Sequence, residues 1–306
     1  MNAVSRADVG GIHRLLDMIF GMSFKMPALP QHARPARGNP AETVSRKKGP
    51  LTSKTAEAGA TCDLVMLYYC GMRKSRCLGL VGGLGVGAAV HYYEKLAQGC
   101  QERGLELDIV ITNAHTPRVF EYVEANDRDR LAEYLNGYLR RMKAAGAELA
   151  AIPAVTPHYC LQELAATSPL PIVSIFVPLI RELARRAARR VAIFGTRFVI
   201  ASELFGAVKE VEFIRPKPEE VDLIHDTYVE LAAAGKSSQE KHEKLTALAK
   251  TLVQRDSVDA ILLAGTDLTL LFHEGNTDFP HVDCAALHIQ AILNSLECPD
   301  TDPKEA

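Results

Sequence analysis

From Cys77 onward, short apolar runs alternate with segments of helical periodicity, and this alternation restricts the fold more than any other feature. Six runs have the length and bounding residues of strands: Cys77–Val81, Leu107–Thr112, Leu149–Pro153, Ile172–Phe176, Val191–Gly195 and Ala260–Ala264. Between them we predict helices at Ala88–Gln98, Asp127–Ala145, His158–Ala166, Leu179–Arg189, Ser202–Lys209, Pro218–Ala234 and Ser238–Arg255. This alternation predicts an α/β fold whose parallel sheets are built from βαβ units.

The helix predicted over Asp127–Ala145 shows the pattern most clearly. Its apolar side chains recur at intervals of three and four residues, which places them on one helix face: Leu131, Tyr134, Leu135, Tyr138, Leu139 and Met142. Gly146 follows where a glycine commonly ends a helix.

The carboxyl ends of the predicted strands are where a parallel sheet binds ligands. Four of them carry small or hydroxyl residues: Gly82–Gly87, Pro153–His158, Gly195–Arg197 and Ala264–Asp267. The first is dense in glycine, but its glycines are out of register for a dinucleotide-binding turn. No acidic residue closes a second strand at the required distance, so the sequence disfavours a Rossmann site.

Two of these strand ends look related, because each places a threonine after an apolar strand. We predict that Thr156 and Thr266 are helix N-caps whose hydroxyls accept from backbone N–H groups. Facing each other, the two caps would also hold a carboxylate with backbone N–H groups and hydroxyls. The structural and the ligand-binding roles are compatible.

Charge and composition exclude several classes of partner. The net charge of −2 does not favour nucleic acid, and no apolar run reaches the roughly 18–20 residues that span a bilayer. The seven cysteines form no CxxC pair, and the ten histidines show no metal-ligand spacing. We therefore expect reduced thiols in a cytoplasmic protein, with no metal, no nucleic acid and no membrane partner.

The first 71 residues differ in character from the rest. Residues 1–76 carry a net charge of +7, against −9 for the remainder, and Met26–Lys54 is rich in proline, glycine, alanine and basic residues. Such a segment buries too little apolar surface to offset its ordering entropy. We expect residues 1–71 to be disordered or a non-native extension upstream of a start at Met72.

Several motifs, in order along the chain, carry a family resemblance: Gly82-Gly83-Leu84-Gly85, Tyr92-Tyr93, Pro153-Ala154-Val155-Thr156-Pro157-His158, Gly195-Thr196, Ala264-Gly265-Thr266-Asp267-Leu268, Asp283 and His288. Over residues 77–296 they resemble the cofactor-independent aspartate/glutamate racemase family. The resemblance implies two pseudo-symmetric lobes, each a parallel sheet flanked by helices, with the active site in the cleft between them. It places residues 72–174 and 284–299 in the first lobe, 175–283 in the second, and 300–306 in a disordered tail. It also implies a homodimer without a cofactor.

The resemblance fails at the residues that carry the chemistry. Members of this family invert an α-carbon with two thiols, one on each face of the substrate. At the matching positions this chain has Ala154 and Gly265, which cannot carry a proton. Racemisation by two thiols is therefore excluded, and the catalytic residues are unknown. The resemblance assigns substrate binding to six positions: Gly83, Val155, Thr156, Thr196, Gly265 and Thr266.

Other side chains near these motifs are candidates for proton transfer, packing, helix capping or substrate binding. His158 is a candidate base near neutral pH, although the family carries a histidine there in a supporting role. Cys160 is expected to be packed in the interior, and Cys284 to belong to the core or to a subunit contact. Asp267 is expected to cap or orient a helix, and Arg197 is either solvated or meets a second carboxylate of the substrate.

Three functions remain open at the level of sequence. The first is an isomerase or racemase for a small amino acid or dicarboxylate, with a changed set of acid/base residues. The alternative is a catalytically degenerate homologue that binds a small carboxylate as a sensor or dimer partner. A nucleotide-binding protein is the third, and it rests on the glycine-rich first turn alone.

Overall fold

Parallel strands flanked by helices make up the part of the chain that the computed structural model describes, residues 72–206, 208, 210–273 and 275–297. The predicted α/β class is confirmed. The segments predicted to be disordered, 1–71 and 300–306, lie outside the described residues. The lobe boundaries and the pseudo-symmetry stay predictions.

The strands form two larger parallel sheets. They are β1 (Arg73–Lys74), β2 (Leu78–Gly82), β3 (Leu105–Glu106), β4 (Ile109–Asn113), β5 (Leu149–Ala151), β6 (Arg190–Phe194), β7 (Glu212–Ile214), β8 (Ala260–Leu263) and β9 (His281–Asp283). The first sheet has the order β4-β2-β5 and the second β7-β6-β8-β9, while β1 and β3 form a separate parallel pair. Because the strands run parallel, the carboxyl ends within each sheet lie at one edge.

The helices surround these sheets. They are α1 (Val86–Glu102), α2 (Thr116–Glu124), α3 (Arg128–Ala144), α4 (Leu161–Thr167), α5 (Phe176–Arg185), α6 (Arg197–Ala201), α7 (Pro218–Ala234), α8 (Gln239–Arg255) and α9 (Cys284–Leu296). Two short 3-10 helices, η1 (Thr156–Cys160) and η2 (Thr266–Leu270), follow β5 and β8. Within the described ranges no helix is long and apolar enough to cross a membrane.

Helix α3 forms where the sequence pattern predicts it. The Asp127 side chain accepts a hydrogen bond from the backbone N–H of Arg130 at 3.0 Å and so caps the first turn. At the other end Gly146 has a φ of 101°, a conformation that glycine adopts without steric cost. The predicted apolar face is confirmed, since Leu131, Leu135 and Met142 are fully buried.

The first sheet has a core on each face. One face packs against α1 and α9 through Leu80, Leu96 and Ile292, and the other packs against α3. On that second side a Cβ at Gly79 would lie 2.7 Å from the Met142 sulfur, so the strand has no room for a larger residue. The second sheet has its own core, to which α5, α7 and α8 contribute.

Two sequence predictions of local structure are wrong. The segment Ile172–Phe176, predicted to be a strand, contributes a single β-bridge, between Ile172 and Ala150. The segment cannot continue as a strand because Phe176 begins α5, where its N–H donates to the Ser174 hydroxyl at 3.2 Å. The helix predicted at Ser202–Lys209 lies earlier, in α6. Thr196 caps it, and Ser202 ends it by donating from its N–H to the Phe198 carbonyl.

Two buried hydrogen bonds connect η2 to the first half of the chain. The Thr266 hydroxyl donates to the Pro153 carbonyl at 2.9 Å, and Asp267 Oδ1 accepts from the Ala88 N–H at 2.7 Å. The second bond satisfies one of the N–H groups that the start of α1 leaves without an intrahelical partner. A Cβ at Gly85 would lie 2.4 Å from Asp267 Oδ2, so a glycine lets the carboxylate reach this helix end.

Removing the Asp267 carboxylate should therefore destabilise the protein. In Asp267→Ala the Ala88 N–H and the Tyr228 hydroxyl lose a buried acceptor, and we expect the free energy of unfolding to fall by about 2 kcal/mol. Urea denaturation measures this loss. Asp267→Asn keeps an oxygen that can accept from the Ala88 N–H, so its free energy of unfolding should fall less. The exposed Asp226→Ala is the matched control. Equal losses in Asp267→Ala and Asp226→Ala would contradict this role.

Candidate active site

A cavity of about 400 Å³ lies at the carboxyl ends of both sheets. Its wall comes from the turns after β2, β5, β6 and β8, from the start of α2, and from one side of α7. The lining residues are Gly83, Leu84, Gly85, Val86, Thr116, Pro117, Val119, Phe120, Ala154, Val155, Thr156, Pro157, Thr196, Val199, Tyr228, Val229, Ala232, Ala233 and Ala264. Four of the six predicted binding positions are thus brought together: Gly83, Val155, Thr156 and Thr196.

The cavity wall is mostly apolar. Among the described residues that line it there is no Asp, Glu, Lys, Arg, His or Cys, and the polar side chains are three threonines and one tyrosine. A ligand held here would meet hydroxyls, backbone N–H groups and an apolar surface rather than a charged side chain.

The three threonines that line the cavity differ in whether their hydroxyls are free to bind a ligand. Thr116 donates to the Gly83 carbonyl at 2.6 Å and so fixes the first turn. Thr196 accepts from the Val199 N–H at 3.1 Å, which leaves its own O–H free to donate. The Thr156 hydroxyl makes no hydrogen bond to any residue the structure describes, so it is the best-placed free donor.

The prediction that Thr156 and Thr266 are N-caps is wrong. Val155 and Gly265 hold the N-cap positions of η1 and η2, and each threonine is the first residue of its 3-10 helix. Thr266 is fully buried and uses its hydroxyl to reach Pro153 instead. The tighter 3-10 turn begins one residue earlier than the α-helix that the sequence pattern predicted.

The two positions matched to the family's thiols have different surroundings. Ala154 lines the cavity, whereas Gly265 does not. A Cβ at Gly265 would lie 2.2 Å from Cε2 and 2.6 Å from Cδ2 of Tyr228, so the tyrosine ring occupies the space that a side chain there would need. The position that the family resemblance matches to the second thiol is thus covered by an aromatic ring.

Tyr228 is held in this place by a buried hydrogen bond. Its hydroxyl donates to Asp267 Oδ2 at 3.3 Å. Burial, followed by the charge of Asp267, raises the pKa of Tyr228 well above its ordinary value. Burial also raises the pKa of Asp267, although the bonds from Ala88 and Tyr228 oppose that shift. Tyr228 is consequently a neutral hydrogen-bond donor at physiological pH, and it cannot act as a base.

His158, the candidate base, lies outside the cavity wall. Its ring is buried between Phe176 and His288, with ring centroids at 5.5 and 6.3 Å. Nδ1 donates to the Ala154 carbonyl at 2.7 Å, and Nε2 has no hydrogen-bond partner among the described residues. Burial lowers the pKa of His158 to about 4. The side chain therefore supports the turn that carries Ala154 and does not face the ligand.

The described cysteines do not line the cavity. Cys160 and Cys284 are buried as expected, and neither lines the cavity. Burial raises the pKa of Cys160 to about 12 and that of Cys284 well above its ordinary value, so both are neutral thiols. Cys77 and Cys100 are buried elsewhere in the first half of the chain. Throughout the described ranges no group of three His, Cys, Asp or Glu side chains is placed to hold a metal ion.

Arg197 lies beyond the cavity, on α6. Its guanidinium pairs with Asp222 at 2.7 Å, and both side chains are more than half exposed. It lines a neighbouring groove rather than the cavity wall.

Sequence reasoning missed the most consequential residue of the site. Tyr228 has the helical spacing of a core residue in α7, and no nearby motif marks it. The related signal is Gly265, because a glycine in place of a functional side chain indicates that another group approaches the backbone there.

Burial of His158 makes folding pH-dependent. Its pKa is about 6.5 in an unfolded chain and about 4 in the folded protein, so between these values the unfolded chain binds the proton and the folded protein does not. Stability should fall as pH decreases through this window, by about 1.4 kcal/mol per pH unit from this residue. We expect the free energy of unfolding, measured by urea denaturation at pH 7, 6 and 5, to fall less with decreasing pH in His158→Gln than in the wild type. The exposed His273→Gln is the control. The same pH dependence in His158→Gln and the wild type would contradict the assignment.

Comparisons with known proteins agree on this architecture. A sequence model of the Asp/Glu/Hydantoin racemase family matches residues 81–292. A candidate Asp/Glu racemase from Yersinia pestis matches with a TM-score of 0.62 at 22% identity, covering 72% of this chain and 100% of that one. An aspartate racemase homologue from Pyrococcus horikoshii matches with a TM-score of 0.60 at 23% identity, covering 72% of this chain and 100% of that one. The aspartate racemase of Picrophilus torridus gives 0.55 at 17% identity, with coverages of 72% and 94%.

At identities this low the solved structures establish the fold alone. The family match is more informative, because it runs from the end of β2 into α9 and includes more than half of the chain. On this match, the chain belongs to the Asp/Glu/hydantoin racemase family.

Proposed function

We propose that this family member binds a small carboxylate with an apolar substituent in the cavity, and that it does not racemise the ligand. The observation that carries the proposal is the position of Tyr228, whose ring covers the second thiol position at Gly265. The first thiol position, Ala154, faces the cavity with a methyl group. Inversion of an α-carbon needs a proton carrier on each face of the substrate, and both positions lack one.

Backbone geometry supports a carboxylate as the anionic part of the ligand. The starts of α1, α2 and η1 contribute Val86, Thr116 and Thr156 to the cavity wall. The first N–H groups of a helix have no intrahelical acceptor and carry a partial positive charge. Asp267 already accepts from the Ala88 N–H, and Pro117 and Pro157 have no N–H, so the donors left at these starts are the N–H groups of Val86, Gly87, Thr116 and Thr156. Together with the hydroxyls of Thr156 and Thr196 they form a donor set for an oxyanion.

The remainder of the wall supports an apolar substituent. Leu84, Val86, Phe120, Val199 and Val229 present hydrocarbon to the cavity. Among the described residues that line the cavity, none carries a positive charge for the second carboxylate of aspartate or glutamate. Transfer of an apolar group to such a wall contributes about 25 cal/mol per Å² of surface removed from water. We therefore place the binding positions at Gly83, Val155, Thr156 and Thr196, with Gly265 and Thr266 supporting the wall from behind.

An isomerase with a substitute proton carrier is the second candidate. One observation favours it, namely that Tyr228, whose hydroxyl is titratable, is among the residues that line the cavity. Because its pKa is raised, this hydroxyl stays protonated, so it is a weak acid and cannot remove a proton from an α-carbon. The homodimer implied by the family resemblance stays a prediction.

Ligand-observed NMR in D2O tests both candidates at once. The full chain is incubated with hexanoate, phenylacetate, and L- and D-aspartate and glutamate. We expect saturable line broadening for the two apolar acids and no loss of any Cα–H signal. Thr156→Val removes a hydroxyl donor and should weaken binding about fivefold, while Thr251→Val, on the outer side of α8, should not.

Two outcomes would contradict the proposal. Loss of a Cα–H signal would show that an acid/base pair exists, and Tyr228→Phe would then test the tyrosine hydroxyl. Absence of saturable broadening with either apolar acid would show that the cavity does not bind this class of ligand.

A further inference from the structure

A second depression lies between α1 and α9. It has a volume of about 800 Å³, and we call it the α1–α9 groove. It shares no lining residue with the cavity. A Cβ at Gly99 would lie 2.4 Å from Cδ1 of Leu293, so the two helices approach each other closely at this glycine. Leu293 and Leu287 give the groove an apolar wall.

A largely buried carboxylate, that of Asp283, lies in the groove. Its Oδ1 accepts from the Ala285 and Ala286 N–H groups at 2.8 and 3.2 Å, so it caps α9, and Thr269 donates a third hydrogen bond. Burial raises the pKa of Asp283, although the bonds from Ala286, Thr269 and Ala285 oppose the shift. An ionised carboxylate accepts about four hydrogen bonds, and no described lysine or arginine forms an ion pair with this one. Asp283 therefore has room for one more donor, and a cationic donor would compensate its buried charge.

His91 does not supply that cation. Thr269 gives its only hydroxyl proton to Asp283, so its oxygen accepts from His91 Nε2 at a distance of 3.4 Å. Burial lowers the pKa of His91, although the charge of Asp283 opposes the shift, and the imidazole is neutral at physiological pH. The ring thus holds Thr269 beside Asp283 and leaves the charge of the carboxylate uncompensated.

Lys95, one helical turn after His91 on α1, brings an ammonium group to the same groove. One of its three N–H donors reaches the Gln98 amide oxygen at 3.4 Å, and it forms no ion pair with a described carboxylate. Arg103 also lines the groove, but its guanidinium pairs with Glu297 at 3.4 Å. Among the described residues of the groove, Lys95 is thus the lysine or arginine without a partner charge.

The positions of Asp283 and Lys95 are about one helical turn apart along the groove. Asp283 is joined to His91 through Thr269, and Lys95 follows His91 at i+4, a spacing that separates Cβ atoms on a helix by about 5–6 Å. This separation fits an ammonium group and a carboxylate on neighbouring carbons of one molecule. Glu102, another acidic residue of the groove, lies about 10 Å further along α1 than Lys95.

We propose that the α1–α9 groove is a second binding site, which takes a free α-amino acid. The ammonium group of the amino acid donates to Asp283, its carboxylate accepts from Lys95, and an aliphatic side chain lies along Leu287 and Leu293. A zwitterion meets both uncompensated charges at once, whereas a single ion would be attracted by one and repelled by the other. Because the groove and the cavity share no residue, this site does not depend on the proposed function.

A matched ligand set tests this inference by titration calorimetry on the full chain. The probes are L-leucine, 3-methylbutylamine, which lacks the carboxylate, and 4-methylpentanoate, which lacks the ammonium group. Lys95→Gln should weaken L-leucine binding about fivefold, as for an exposed ion pair. Asp283→Asn keeps an oxygen to cap α9 and should weaken it about tenfold, because it removes a largely buried charge. Glu94→Gln, an exposed change on the same helix, is the matched control and should have no effect.

Each analogue should lose one of these dependences. Lys95→Gln should leave the affinity for the amine unchanged, and Asp283→Asn should leave the affinity for the acid unchanged. Because Lys95 is exposed, its variant tests the groove even if Asp283→Asn does not fold.

Three results would overturn the proposal. The first is the absence of saturable L-leucine binding, or an affinity that Lys95→Gln leaves unchanged. The second is an amine that binds as tightly as L-leucine, since the groove would then recognise an ammonium group alone. The third is L-leucine binding that weakens in the cavity variant Thr156→Val and not in Lys95→Gln, since the amino acid would then occupy the cavity.

Discussion

The ring of Tyr228 lies against the backbone of Gly265, and its hydroxyl donates to Asp267, which in turn accepts from the start of α1. This short series of buried contacts determines much of the candidate site. It connects η2 and α7 to the first sheet's half of the chain, and it closes the cavity on one side. Gly265 and Gly85 are both needed, because a Cβ at either would collide with the tyrosine ring or the carboxylate.

The chemistry that the cavity can support follows from this arrangement. A racemase without a cofactor needs two groups that exchange protons at opposite faces of one carbon. At the two positions that the family resemblance matches to these groups, Ala154 has a methyl group and Gly265 is covered by the ring of Tyr228, whose pKa is raised. His158 and Cys160 are close in sequence to the first position, but both are buried behind the turn. The hydroxyls, the helix starts and the apolar wall are the features on which we base the proposed binding function.

Much of the fold was predictable from the sequence, because strand and helix periodicities are local signals. The parallel sheets, α3 with its glycine end, and the grouping of Gly83, Val155, Thr156 and Thr196 follow from such signals and from the family resemblance. Features set by tertiary contacts were not predictable. Strands β7 and β9 are three residues each, too short for a periodicity, and they exist because β6 and β8 pair with them.

The position of Tyr228 belongs to the same unpredictable class, since residues 228 and 265 are far apart in sequence and meet through the packing of α7 on η2. The double-mutant cycle of Gly265→Ala and Tyr228→Ala, followed by urea denaturation, tests this contact most directly. Gly265 has a φ of −114°, so alanine fits its backbone, and any cost of the added methyl group arises from the ring. Because its methyl group would collide with the ring, Gly265→Ala should lower the free energy of unfolding by about 2 kcal/mol in the wild-type background. In the Tyr228→Ala background the same substitution should have little effect. Additive losses, within about 0.5 kcal/mol, would show that the Tyr228 ring does not occupy the space beside Gly265.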